Sequence, residues 1–270
     1  MITFPIAKIN LGLLVTDKRP DGFHNIETIF YPIPVQDALE VVASSKFSIN
    51  ITGIDLKENP EDNLVARAYR LLKEDYHLPP VSIHLHKNIP VGAGLGGGSS
   101  DASHMLTLLN DFFHLGIEGP KLLEYALQLG SDCPFFIHPR AVFAQGRGEV
   151  MEDVPLKLSG YYLVVVKPPV HVSTAEAYQE IVPAKSRISL KALIRFPVDK
   201  WQGNIMNQFE RFVFAKHPEV GQIKQALYDL GAIFALMSGS GSAVFGLFRS
   251  EKRSIESHFP SDYQIFRQRI

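Results

Sequence analysis

Apolar and polar positions alternate along residues 6–15, with Ala7, Ile9, Leu11 and Leu13 on one face and Lys8 and Asn10 on the other. A period of two predicts a strand. Its polar face reads either as the solvated side of an edge strand or as a pair of side chains aimed into a site. An apolar stretch over residues 26–33 follows, after a turn cluster at residues 16–22. Residues 39–42 and 47–51 read as a short antiparallel pair. A polar turn at residues 58–63 leads into a helix over residues 64–72, with Asp62 or Asn63 as its N-cap. Val81, Ile83 and Leu85 alternate with polar partners as in a strand, while Met105, Leu108, Leu109 and Phe112 recur at helical spacing.

The second half reads as a helix over residues 120–129, strands over residues 140–145 and 161–166, and a capping box at Ser173 and Glu176 opening a helix to about residue 181. Residues 188–194 fit neither period. Helices are expected over residues 205–215 and 219–230. Two β-type runs, 234–237 and 243–248, flank a glycine-serine loop. A last helix over residues 251–258, capped by Ser250, precedes a strand at residues 263–266. No repeat of 20–50 residues is visible.

Composition narrows the class. The 270 residues are 46% hydrophobic and 20% charged, with net charge −1. No global field draws the chain to nucleic acid or to a membrane surface. One cysteine, Cys133, excludes an internal disulfide and a multi-cysteine zinc site. No apolar run has the length of a membrane span, and residues 1–5 do not resemble a signal peptide. A cytoplasmic protein with neither nucleic acid nor membrane as partner is expected; oligomeric state is not readable.

The strongest chemistry lies in Pro90-Val-Gly-Ala-Gly-Leu-Gly-Gly-Gly-Ser-Ser-Asp-Ala102, between a strand and a helix start. Glycines let the backbone approach a phosphate, and the N–H groups of a helix N-terminus point at negative charge. A P-loop requires lysine and Ser/Thr directly after its last glycine, where Ser99 and Ser100 stand here. A dinucleotide fold expects its glycine loop in the first βαβ unit. Phe23 and His24 form either a base-stacking element or one buried ring and one surface histidine. Asp132, between a helix end and Pro134-Phe135-Phe136, is expected to be partly buried and to need donors or a cation.

Taken together, these segments resemble the GHMP kinases. Lys8-Ile-Asn-Leu11 is similar to that family's first motif, Pro90 to Ser100 to its second, and Met237-Ser-Gly-Ser-Gly-Ser-Ala243 to its third, in the family's order. Arg19-Pro-Asp-Gly-Phe-His24, Leu95 to Ala102 and Leu129-Gly-Ser-Asp-Cys-Pro-Phe-Phe136 resemble the branch that acts on a CDP-linked sugar alcohol. The resemblance implies an α/β (α+β) fold in two lobes. A ribosomal-S5-domain-2-like lobe would span residues 1–152 and a ferredoxin-like lobe residues 153–270.

It also implies roles. Lys8 and Asp132 would be the catalytic pair, Asp132 accepting or orienting the hydroxyl proton and Lys8 stabilising developing charge. Gly92, Ala93, Gly94, Leu95, Gly96, Gly97, Gly98, Ser99 and Ser100 would cradle the phosphates of ATP. Asn63, Leu64 and Lys87 would stand on the nucleoside side. Asn10, Phe23, His24, Thr174, Tyr178, Gly239 and Ser240 would hold the small-molecule substrate, with cytosine between Phe23 and Tyr178 and its edge on His24. Mg²⁺ is implied; Ser100 and Asp101 are the candidate ligands, and neither is assigned.

Overall fold

The opening alternation is realised as a thirteen-residue strand in the computed structural model, which describes residues 1–56, 59–184 and 188–270. Glu58 of the polar turn expected at residues 58–63 lies outside the described residues. In chain order the strands are β1 (Ile2–Thr3), β2 (Ile6–Lys18), β3 (His24–Gln36), β4 (Ala38–Ala43), β5 (Ser48–Gly53), β6 (Val81–Lys87), β7 (Val142–Gly146), β8 (Val150–Asp153), β9 (Tyr162–Lys167), β10 (Phe234–Met237), β11 (Val244–Phe248) and β12 (Gln264–Arg269). The helices are α1 (Leu64–Tyr76), α2 (Gly97–Phe112), α3 (Gly119–Leu129), α4 (Thr174–Gln179), α5 (Leu190–Leu193), α6 (Phe209–Lys216) and α7 (Pro218–Asp229).

Contacts gather the chain into two units. The first contains Met1–Ala7, Val35–Val91 and Gly96–Pro139, and the second Lys8–Pro34, Gly92–Leu95 and Arg140–Ile270. These units divide the chain by contact, whereas a lobe boundary at residue 152 divides it along its length.

In the first unit a sheet ordered β1-β4-β6-β5 packs against α1, α2 and α3. Leu39, Val41, Ile83 and Leu85 from the strands meet Val65, Leu72, Met105 and Leu109 from the helices. Burial of such side chains contributes roughly 1.5–3 kcal/mol each. The expected antiparallel pairing of β4 with β5 is corrected: both strands pair with β6, β4 antiparallel and β5 parallel. A parallel pair needs a crossover, and α1 supplies it, which puts β6 between them.

In the second unit β9 is central to an antiparallel sheet ordered β10-β11-β9-β12. A further sheet is ordered β2-β3-β7-β8. Leu13, Val15 and Ile26 share a core with Val164, Val166, Met237, Val244, Phe209 and Leu227. Two helix expectations are corrected. Residues 251–258 give only a 3₁₀ turn, Ile255–His258, with Ser254 rather than Ser250 before it. The helix expected from residue 205 begins at Phe209, because the Asn207 carboxamide accepts from the Phe209 N–H at 3.0 Å and ends the preceding turn. Among the described residues no helix is long and apolar enough to cross a membrane.

Candidate active site

Strand alternation brings Lys8 and Asn10 to one face of β2, and both are buried. Lys8 Nζ donates to Asn10 Oδ1 at 2.5 Å and to Gly94 O at 3.1 Å, and lies 5.0 Å from the Phe30 ring centroid. Asn10 Nδ2 donates to Thr28 Oγ1 at 2.8 Å, and Thr28 in turn donates to Gly12 O at 2.6 Å. This fixes the amide orientation, since the Asn10 oxygen must face the ammonium. The Ser238 hydroxyl accepts from the Asn10 N–H at 3.1 Å and donates to Gly94 O at 2.9 Å.

Residues 92–95 of the glycine loop are bound into this cluster. Leu95 O accepts from the Lys8 N–H at 2.9 Å and Ala93 O from the Ala243 N–H at 3.2 Å. Gly94 has φ +77°, and a Cβ there would stand 1.9 Å from Ser238 O, so only glycine fits. A Cβ on Gly239 would lie 2.9 Å from Gly94 Cα, and one on Gly92 2.9 Å from the His171 ring. Thr174 and Ser240 meet through their hydroxyls at 2.8 Å.

His24 and Tyr178 stack, with centroids 5.1 Å apart and planes at 22°, and Tyr178 meets Phe209 edge-on at 4.9 Å. Phe23 is exposed, and the Arg147 guanidinium lies 3.8 Å from its ring centroid. The two rings expected to enclose a base thus each hold another partner: Tyr178 faces the His24 imidazole, and Phe23 faces Arg147. Arg147 was not singled out from the sequence.

The first unit holds the remaining candidates. Gly96, at φ 72°, precedes α2, whose N-terminus has no side-chain cap. Gly97, Gly98 and Ser99 form its first turn, where backbone N–H groups lack intrahelical acceptors. The N–H of Ser100 is the first to close the helix, on Gly96 O at 2.9 Å. An uncapped glycine turn fits a phosphate chain. Asn63 caps α1 through its side chain, accepting from the Val65 N–H at 3.0 Å. Leu64 borders the same turn: a Cβ on Gly98 would lie 3.7 Å from its Cδ1.

Asp132 is half-buried and precedes the 3₁₀ turn Cys133–Phe136. Ser103 Oγ of α2 donates to Cys133 O at 2.7 Å and to Ser99 O at 2.9 Å, fixing the Asp132 turn against α2. Burial pushes the Cys133 thiol up to about 11, so it stays protonated.

Lys87 is differently placed from its expected nucleoside contact. Its side chain is 1% exposed and pairs with Asp37 and, at 2.6 Å, with Asp101. Asp37 also accepts from the N–H groups of Asn88 (2.5 Å) and Ile89 (2.8 Å). Burial, reinforced by the Asp37 charge and opposed by Lys87, raises Asp101 to about 7. Asp101 Oδ2 is bound by the Lys87 ammonium, and its Oδ1 is buried. Ser100 is fully buried, and no group of three His, Cys, Asp or Glu among the described residues could hold a metal.

In the second unit a buried strand lysine is bonded to one glycine loop, which Ser238 of the other also holds; in the first, an uncapped helix N-terminus and a braced aspartate are present. Each set has the chemistry of phosphoryl transfer. Comparison with known proteins agrees. The model of the GHMP kinases N terminal domain matches residues 63–140, and that of the GHMP kinases C terminal matches residues 190–263. The chain belongs to the GHMP kinase family, and the expected mixed α/β fold is that family's. It is 50% identical, over 100% of both chains, to the 4-diphosphocytidyl-2-C-methyl-D-erythritol kinase of Bacteroides thetaiotaomicron. It is 55% identical, over 97% of both, to the enzyme of the same name from Parabacteroides distasonis. A crystal structure of 4-(cytidine 5'-diphospho)-2C-methyl-D-erythritol kinase superposes with TM-score 0.78 at 33% identity, covering 92% of this chain and 90% of that one.

Sequence reasoning missed Thr28, Asp37 and Asn207. Their signal was a polar residue inside an apolar run, which alone does not distinguish a site from a capped turn.

Proposed function

We propose that this chain is an ATP-dependent kinase that phosphorylates the 2-hydroxyl of 4-diphosphocytidyl-2-C-methyl-D-erythritol, releasing ADP, in the non-mevalonate route to isoprenoid precursors. The observation that carries the reading is half-identity over the whole chain with enzymes of that name. In the reaction Asp132 accepts the proton of the substrate hydroxyl or orients it. The hydroxyl oxygen forms a bond to the γ-phosphorus as the bond to ADP breaks. Lys8 stabilises the negative charge that develops, and Asn10 holds the ammonium and the substrate on one strand face. The uncapped turn of α2 receives the phosphates. Magnesium, which offsets phosphate charge in such reactions, would be carried by ATP itself. His24, Tyr178 and Phe23 are assigned to the cytidine end, with Thr174, Gly239 and Ser240 on the substrate side. Asn63 and Leu64 are assigned to the nucleoside of ATP. Absence of a second cysteine favours a reducing, cytoplasmic setting.

The test is ADP release with the CDP-linked substrate, galactose, homoserine and mevalonate in parallel. Turnover on the first alone is expected; turnover on one of the others, with none on the first, would overturn the reading.

A further inference from the structure

We infer that Asn207 is a positioning residue for this reaction, acting through Ser238 on Lys8 and Asn10. The inference rests on the reading of Lys8 and Asn10 as groups of the kinase site. Asn207 is 3% exposed, and its carboxamide is fully engaged. Nδ2 donates to Met237 O at 2.8 Å and to Gly239 O at 2.7 Å, the two carbonyls flanking Ser238, and Oδ1 accepts from the Phe209 N–H. Glu210, at the start of α6, accepts from the Met237 N–H at 3.0 Å. The backbone on both sides of Ser238 is thus gripped from one short segment.

That segment is also bound to the strand that carries Lys8. The Leu13 N–H donates to Met206 O and the Gln208 N–H to Leu13 O, each at 2.9 Å, so Asn207 lies in a parallel bridge with Leu13. The Val15 N–H donates to Gln208 Oε1 at 2.5 Å. Asn207 is therefore a bracket: the main chain on either side of it is bound to β2, and its side chain to the glycine-serine loop around Ser238. It sets the separation between β2 and Ser238. The Ser238 hydroxyl spans that separation by taking the Asn10 N–H and giving its proton to Gly94 O, the same carbonyl that receives the Lys8 ammonium. Without the carboxamide two buried carbonyls lose their donor, and the loop held against Gly94 is left with the Ser238–Asn10 bond as its link to β2.

The test measures kcat and both KM values for Asn207→Ala, Ser238→Ala and the double variant, with thermal melts. In Asn207→Ala, kcat per folded molecule is expected to fall about tenfold or more while both KM values stay within about threefold. Ser238→Ala is expected to behave alike, and the double variant to lose little beyond the worse single one, because both act along one chain of contacts. A merely structural role lowers the melting temperature and leaves kcat per folded molecule unchanged; that result overturns the inference, as do losses that multiply. If Asn207→Ala does not fold, Ser238→Ala decides alone, and wild-type kcat there overturns it. Wild-type turnover on the CDP-linked substrate reports on the functional reading separately, since the variants are scored as ratios to it.

Discussion

Lys8 Nζ lies 2.5 Å from Asn10 Oδ1, two residues along the same strand face. The pair forms because a strand repeats every two residues, and Thr28 locks the amide that receives the ammonium. The ammonium sits between this oxygen and Gly94 O, a space fitted to a compact point charge. Lys8→Met is expected to lower kcat by about a hundredfold or more, with ATP affinity nearly intact. Lys8→Arg is expected not to rescue it, because a planar fork does not fit that seat. Steady-state kinetics with nucleotide titration checks both.

Asp132→Asn keeps the shape of the turn that Ser103 braces and removes the proton acceptor. Most of kcat is expected to disappear while ATP binding, measured by calorimetry, changes little. A loss confined to KM contradicts the assigned role.

The His24–Tyr178 stack predicts selectivity between the two substrates. Tyr178→Ala should raise KM for the cytidine substrate about 5- to 150-fold, the equivalent of ~1–3 kcal/mol of lost stacking. KM for ATP should stay near wild type, and Tyr178→Phe should restore the ring and the affinity. An equal rise in both KM values contradicts the assignment.

Asp101 predicts a pH dependence of stability. Its ordinary value is 3.8 and its folded value about 7, so between these the folded protein holds a proton that the unfolded chain has lost. The contribution is present in full below about pH 4 and is lost as pH rises through 7. Urea midpoints should show this component in the wild type and lack it in Asp101→Asn. Lys87 and Asp37, which face Asp101, remain in both proteins. Identical slopes in the two proteins between pH 4 and 7 contradict the raised value.

Much of this architecture was legible in the chain. Alternation placed Lys8 and Asn10 together, and the glycine loop announced an uncapped helix start. Asn63 was readable as the cap of α1 because a side chain that caps acts on the residue two positions ahead. What stayed hidden depends on partners remote in sequence. β6 lies between β4 and β5 because α1 crosses over, which no local pattern encodes. Lys87 sits one residue past the alternating run of β6, where the resemblance put it on the nucleoside side of ATP; the return of Asp37 and Asp101 makes it a buried ion pair. Asn207 was absorbed into a helical reading because its apolar neighbours, Ile205, Met206 and Phe209, resemble a helix face. Its side chain bonds forward to residue 239, while the residues on either side of it bond back to residue 13.

The position of the new phosphate tests the central claim most directly. After incubation with ATP and the CDP-linked substrate, phosphorus NMR of the product should show one added phosphomonoester, placed at the 2-position by its carbon couplings. The cytidine diphosphate should remain intact, with one ADP formed per product. A phosphate on another hydroxyl, or ADP formed without any phosphomonoester, would contradict the account.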